Sequence, residues 1–211
     1  MKIKIGRLCV ITDTSVQKKH SHIEIARMAI KGGADVIQFR DKTMAAGDLI
    51  ETAKKLKKVC SKDGVLFIIN DRIDVALLSN AHGVHLGRED IPIKEARKLL
   101  GKNKIIGGTA HSLTEAIEAE KDGVDYIGFG HIYPTASKLK LTPPVGIEEL
   151  KKAVKIINIP IFAIGGIELN NIKEVTETGV HGVALIGSVV RSSNPAKTVR
   201  ELKGVLYGKK N

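Results

Sequence analysis

Short apolar runs alternate with longer stretches of helical periodicity along the whole chain. Val65 to Ile69 is apolar at every position, the pattern of a parallel strand covered on both faces. It stops at Asn70-Asp71, two polar groups that a core does not tolerate unpaired. Val84-His85-Leu86 ends in the same way at Gly87, with Asp90 just beyond. Six further runs read as strands: Arg7 to Thr12, Asp35 to Arg40, Lys104 to Thr109, Tyr126 to Gly130, Pro160 to Ile164 and Gly182 to Ile186.

The segments between them are helical. His22 to Ile30 sets Ile23, Ala26, Ala29 and Ile30 on one face, and Lys31-Gly32-Gly33 stops it, as glycine after a last turn commonly does. A helix from about Asp48 turns Leu49, Ala53, Leu56 and Val59 or Cys60 inward, and a short one lies near Asp74 to Leu78. Pro92 opens the next helix, where its missing N–H costs nothing. Ala96, Leu99 and Leu100 form that helix's inner face, and Gly101 stops it. Ser112 and Glu115 make a capping-box pattern before Ala116, Ile117 and Ala119. Later helices run from Ile147 to about Ile156, from Asn170 with Ile172 and Val175 inward, and from Asn194-Pro195 with Ala196, Val199, Leu202 and Leu206 inward.

Eight strand–helix units with no leftover element predict an α/β fold, a closed (β/α)8 TIM barrel forming one domain over residues 1–211. An open doubly wound sheet is the alternative. It more often carries a glycine-rich first turn, and Thr12-Asp13-Thr14-Ser15 is not one. The loop from His131 to Val145 has three prolines and no periodicity. Loops of that length in compact domains are usually functional or disordered.

Composition narrows the classes. Apolar residues are 43% of the chain and aromatics 3%, so the core is built of Ile, Val, Leu and Ala. No apolar run approaches the roughly 20 residues of a membrane span, and Met1 to Gly6 is too short for a signal h-region. Cys9 in a strand and Cys60 at a helix end do not suggest a disulfide framework, so a cytoplasmic location is expected. The net charge of +11 suits an anionic partner. Most lysines, such as Lys54, Lys55, Lys57 and Lys58, read as solvated helix faces. No aromatic stacking platform is evident, so small phosphorylated molecules are expected rather than nucleic acid or membrane. A homo-oligomer is left open.

In such barrels the active site lies at the carboxyl ends of the strands. There the sequence places Gln38, Arg40 and Lys42; Asn70 and Asp71; Asp90; Thr109 and His111; His131, Thr135, Ser137 and Lys138; Gly165-Gly166; and Gly187-Ser188. Asp71 and Asp90 make an oxygen-ligand pair for Mg²⁺, which keeps waters and completes its shell with phosphate oxygens. Each also has a plainer use: Asp71 could pair with Arg72 or cap a helix, and Asp90 could cap the Pro92 helix. Arg40 and Lys42 could hold a large anion, or Arg40 could pair with Asp41 or another acid of the rim. Gly165-Gly166 and Gly187-Ser188 after the last two strands offer bare backbone N–H groups to a phosphate, or merely permit tight turns. His131, directly after a strand, is the stronger acid–base candidate of the two histidines His111 and His131; His85, inside a strand, reads as structural.

At these residues the chain resembles the thiamine phosphate synthase family and its relative, the thiazole tautomerase. The likeness covers nearly the whole chain, through Gln38-Phe39-Arg40-Asp41-Lys42, Asn70 to Ala76, Gly83 to Asp90, Tyr133-Pro134-Thr135, Ala163 to Ile167 and Gly182 to Ile186. It implies an Mg²⁺-dependent transferase that joins a pyrimidine methyl diphosphate to a thiazole phosphate. On the family pattern Asp71 and Asp90 bind Mg²⁺, and Gln38, Arg40, Lys42, Asn70 and Lys138 surround the diphosphate. Thr109 stands where the synthases usually have Ser. Thr135, Ser137 and backbone N–H groups near Gly166, Ile186 and Gly187 hold the thiazole phosphate. The chain departs from the synthases in Leu139 after Lys138 and in Gly187, where Ser is usual. Gly130-His131 and Pro143 to Gly146 look more like the tautomerase, an isomerase in which the matching His131 moves protons. Retention of both acids favours the diphosphate chemistry.

Overall fold

The computed structural model describes residues 4–135 and 143–208. Strands and helices alternate as β1 (Leu8–Thr12), α1 (His22–Gly32), β2 (Val36–Phe39), α2 (Ala46–Lys62), β3 (Leu66–Asn70), α3 (Ile73–Leu78), β4 (Gly83–Leu86) and α4 (Ile93–Leu100). They continue as β5 (Ile105–Ala110), α5 (Leu113–Asp122), β6 (Tyr126–Gly130), α6 (Gly146–Ile156), β7 (Ile161–Ile164), α7 (Ile172–Glu177), β8 (Gly182–Leu185), α8 (Gly187–Val190) and α9 (Pro195–Leu206). Every strand pairs in parallel with its sequence neighbour, and β8 pairs with β1, so the sheet closes into the expected barrel. The open sheet is excluded.

Closure explains why the strands show no hydrophobic alternation. Two apolar layers share each strand. Inside the barrel lie Cys9, Ile11, Val36, Ile68, Tyr126 and Phe162. Between the barrel and its helices lie Val10, Ile37, Phe39, Phe67, Ile69 and Phe129. Successive residues of a strand therefore point into different apolar layers, and the period of two appears only as which layer each one joins. Cys9 and Cys60 are free and buried, and burial chiefly pushes both thiols up to about 12.

Helix ends follow local chemistry with three departures. The capping box forms at Ser21 and Glu24. At Ser112 only half of it forms: the Ser112 side chain accepts from the Glu115 N–H, but the Glu115 carboxylate reaches back to the N–H of His111 at 2.6 Å. Leu99 is 57% exposed, not inward, because Ala96 and Leu100 sit four apart on the buried stripe of a two-turn helix and Leu99 lies beside it. The helix α8, inserted between β8 and α9, was not foreseen, since a single turn is too short to show periodicity. Among the described residues no helix is long and apolar enough to cross a membrane.

The two-layer core predicts a contrast in stability. Phe129→Ala, at a fully buried site, should cost about 3–5 kcal/mol in urea denaturation, whereas Leu99→Ala should change stability by less than about 1 kcal/mol.

Candidate active site at the barrel mouth

The polar residues at the carboxyl ends of the strands form two groups. One lines a cavity of about 680 Å³ that enters the barrel from its mouth, with Gln38, Thr109, His111, His131, Thr135, Gly166, Ile186, Gly187 and Ser188 in its walls. Arg40, Lys42, Asn70, Asp71 and Asp90 are not in those walls. They stand over the ends of β2, β3 and β4 as a separate, charged group.

In that group the two acids meet. Asp71 follows the last residue of β3 in the left-handed region, at φ 63°, a conformation Asp tolerates better than most residues. Its N–H donates to His85 O at 2.8 Å. Its carboxylate pairs with the Lys42 ammonium and hydrogen-bonds the carboxyl of Asp90. Asp90 also accepts from the Gly87 N–H at 2.6 Å. The plainer uses fall away: Arg72 pairs with Asp74, and neither α3 nor α4 has a side-chain cap. Burial works to raise the Asp71 carboxyl, but Lys42 and the bond from Asp90 outweigh it and hold it below its usual range. Asp90 is raised, by burial and then by Asp71. Two carboxyl groups in contact cannot both be charged without a cation between them.

Arg40 pairs with a rim acid, Asp13, which is 1% exposed; Asp41 has other partners. Asp13 is itself fixed by the N–H of Ser15 at 3.0 Å and its hydroxyl at 2.6 Å. With Arg40 so held, its Nε is buried without a partner.

Asp41 anchors the segment that carries both cations. It accepts from His22 Nε2 at 3.0 Å and from the N–H groups of Thr43 and Met44 at 2.8 Å each. His22 in turn bonds Thr12 Oγ1 at 2.9 Å through Nδ1 and sets its edge against Phe39. Burial opposes charge on Asp41, but these donors outweigh it and hold the carboxyl far below its usual range. The reading of the sequence missed Asp13, His22 and Asp41 as site-building residues. Asp41 could have been found from its place between two cations, where a period of two turns it away from them.

On the cavity side, polar side chains bond one another and the backbone. His85, which reads from sequence as structural, bonds Thr109 Oγ1 at 3.0 Å and Tyr126 OH at 3.1 Å inside the barrel. It fits because Gly128 faces it: a Cβ there would lie 2.9 Å from His85 Cε1. Gln38, 4% exposed, bonds Tyr126 one inward step below Arg40. His111 Nδ1 bonds the carbonyl of Gly130, and His131 is buried. Gly165 and Gly166 have φ of +99° and +66°, and Cβ atoms there would strike His131 Cβ at 2.3 Å and Pro134 O at 2.6 Å. Glycine is therefore required by both conformation and packing. Ser188 Oγ, just past Gly187, is buried without a partner. Ser137 and Lys138 lie outside the described residues.

A family model described as thiamine monophosphate synthase matches residues 8–189. The thiamine-phosphate synthase of Chlorobium phaeobacteroides is 45% identical over 95% of this chain and 96% of its own. That of Methanocella arvoryzae is 44% identical over 94% of each. Among solved structures, a thiamine phosphate pyrophosphorylase from Pyrococcus furiosus superposes with a TM-score of 0.88 at 40% identity, covering 96% of both chains.

The Asp41 anchor predicts a pH dependence. A carboxyl held low in the folded state adds stability above its unfolded pKa of about 4, and that stability is lost as pH falls toward the folded value. Asp41→Asn should cost about 2 kcal/mol at neutral pH and flatten the acid side of the stability curve. Parallel acid limbs for the two proteins would contradict the anchoring role.

Proposed function

The chain belongs to the thiamine monophosphate synthase family, and on that premise we propose that it is a transferase joining a pyrimidine methyl diphosphate to a thiazole phosphate with release of diphosphate. The observation that carries this reading is the contact of Asp71 with Asp90 beneath Lys42, beside an Arg40 whose buried Nε lacks an acceptor.

The donor set also fits Mg²⁺. Two carboxyl groups in contact ask for a cation, and an ion with one or two protein carboxylates takes its other oxygens from water and phosphate. Among the described residues no group of three His, Cys, Asp or Glu side chains is placed to hold a metal. Asp71 and Asp90 would hold the ion. When bound, Mg²⁺ neutralises charge that builds on the departing diphosphate.

The chain's own residues do the rest. The bond from the pyrimidine methyl carbon to the diphosphate oxygen breaks with its electron pair going to oxygen. Arg40 and Lys42 stabilise that growing charge, Arg40 as a fork pre-set by Asp13 and Lys42 as a point charge. Asn70 adds to the diphosphate shell, and the family pattern assigns Lys138 to it as well. The thiazole nitrogen then gives its lone pair to the methyl cation, and the C–N bond forms. No proton moves in either step, so His131 is left as a wall of the cavity. Gln38 and Thr109 give that cavity uncharged polar walls suited to the ring substrates. Thr135 and the backbone N–H groups near Gly166, Ile186 and Gly187 hold the thiazole phosphate, and the family pattern assigns Ser137 to it as well. The unpartnered Ser188 hydroxyl offers a donor one position beyond the place where the family usually has Ser. The isomerase reading falls behind: the relatives at 44–45% identity are named synthases, and both acids are kept.

The test is turnover of the two phosphorylated halves with Mg²⁺, followed by release of thiamine phosphate and diphosphate. Asp71→Asn and Asp90→Asn should each lower kcat/KM by about a hundredfold or more. Absence of product where another family synthase works, or full Mg²⁺-dependent turnover by Asp71→Asn, would overturn the proposal.

A further inference from the structure

On the face of the barrel opposite the mouth, three basic side chains converge. His82 directly precedes β4, Lys104 directly precedes β5, and Lys57 comes from the second half of α2. Backbone pairing fixes the histidine: its N–H donates to Phe67 O at 2.9 Å, and the Phe67 N–H donates to its ring Nδ1 at 2.8 Å. An Nδ1 that accepts carries no proton, so the ring proton is on Nε2. Yet Nε2 lies 3.2 Å from the Lys57 ammonium. Two donors face each other, and neither can accept from the other.

The surroundings do not resolve the conflict. Lys57 donates to Ser61 Oγ at 2.7 Å, and Lys104 to Asn80 Oδ1 and Ala81 O at 2.6 Å each. That leaves further ammonium protons on both lysines. No carboxylate of the described residues pairs with either of them. Burial and the neighbouring Lys57 and Lys104 lower His82, and burial and Lys57 lower Lys104, the mark of cations crowded without a counter-charge.

We propose that Lys57, His82 and Lys104 form a binding site for a phosphate-class oxyanion, separate from the mouth. An oxyanion resolves the donor–donor contact because its oxygens accept from Nε2–H and from both ammonium groups at once. Three half-buried donors in a compact cluster suit one small anion. They draw on α2 and on the entries to β4 and β5, so an anion bound there ties three elements together.

The experiment records long-range ¹H–¹⁵N spectra of the histidine rings in the full chain. Inorganic phosphate is added, with chloride at matched ionic strength as control. His82 is assigned through His82→Gln. The expected result is an Nε2-protonated His82 whose ring signal shifts saturably with phosphate and not with chloride. Lys57→Met and Lys104→Met should each weaken that response roughly tenfold, while Lys57→Arg keeps it. Unchanged signals from the other histidines in the phosphate-free Met variants report an intact fold, and phosphate held at the mouth is told apart because it moves His111 or His131 there rather than His82. An equal response to both salts, a ring proton on Nδ1, or an undiminished phosphate response in both Met variants overturns the proposal.

Discussion

Two carboxyl groups held in contact at the ends of adjacent strands are the constraint around which the molecule is arranged. Like charges at that range do not rest together in a folded protein without a proton or a cation between them. Here the chain keeps both and sets Lys42 over one of them. The backbone enforces the contact. Asp71 takes a left-handed conformation and bonds the carbonyl of His85, while Asp90 is folded back onto Gly87. Each strand end delivers its acid through main-chain geometry, so the meeting of the acids follows from the pairing of β3 with β4.

The cations are delivered with the same economy. Residues 40 to 42 alternate: Arg40 to Asp13, Asp41 out to His22 and the next turn, Lys42 to Asp71. A single anchored carboxylate thus fixes the spacing of two positive charges. The mouth is divided accordingly. Arg40, Lys42, Asp71 and Asp90 gather over β2 to β4, whereas the cavity walls are chiefly apolar and uncharged polar groups, with Glu168 and Arg191 on the β7 and β8 side. A reaction that separates an anionic leaving group from a cationic ring fragment needs such a division, with its stabilising groups in place before charge develops.

Much of this was legible in the sequence. Unbroken apolar runs ending in polar pairs gave the strands, and the strand ends gave Asp71, Asp90, Arg40 and Lys42. The presence of two apolar layers hid which face each residue takes. Pairing across the barrel was also hidden. Asp13 lies 27 residues from Arg40 and His22 lies 19 from Asp41, and no local pattern encodes either contact. The helix α8 escaped because one turn carries no period; Ser188 was placed at the mouth, but nothing local marks its hydroxyl as unpartnered. Leu99 misled because composition marks a residue as apolar without saying which side of a short helix it occupies.

The central claim is that the acids of β3 and β4 share a divalent ion whose shell a diphosphate completes. Binding of Mn²⁺, used as a paramagnetic stand-in and followed by water-proton relaxation with and without inorganic diphosphate, reports on it most directly. The account predicts weak binding to the protein alone, markedly tighter binding once diphosphate is present, and loss of that gain when Asp71 and Asp90 are both replaced by Asn. Equal Mn²⁺ affinity with and without diphosphate, or a gain that survives the double replacement, would contradict it.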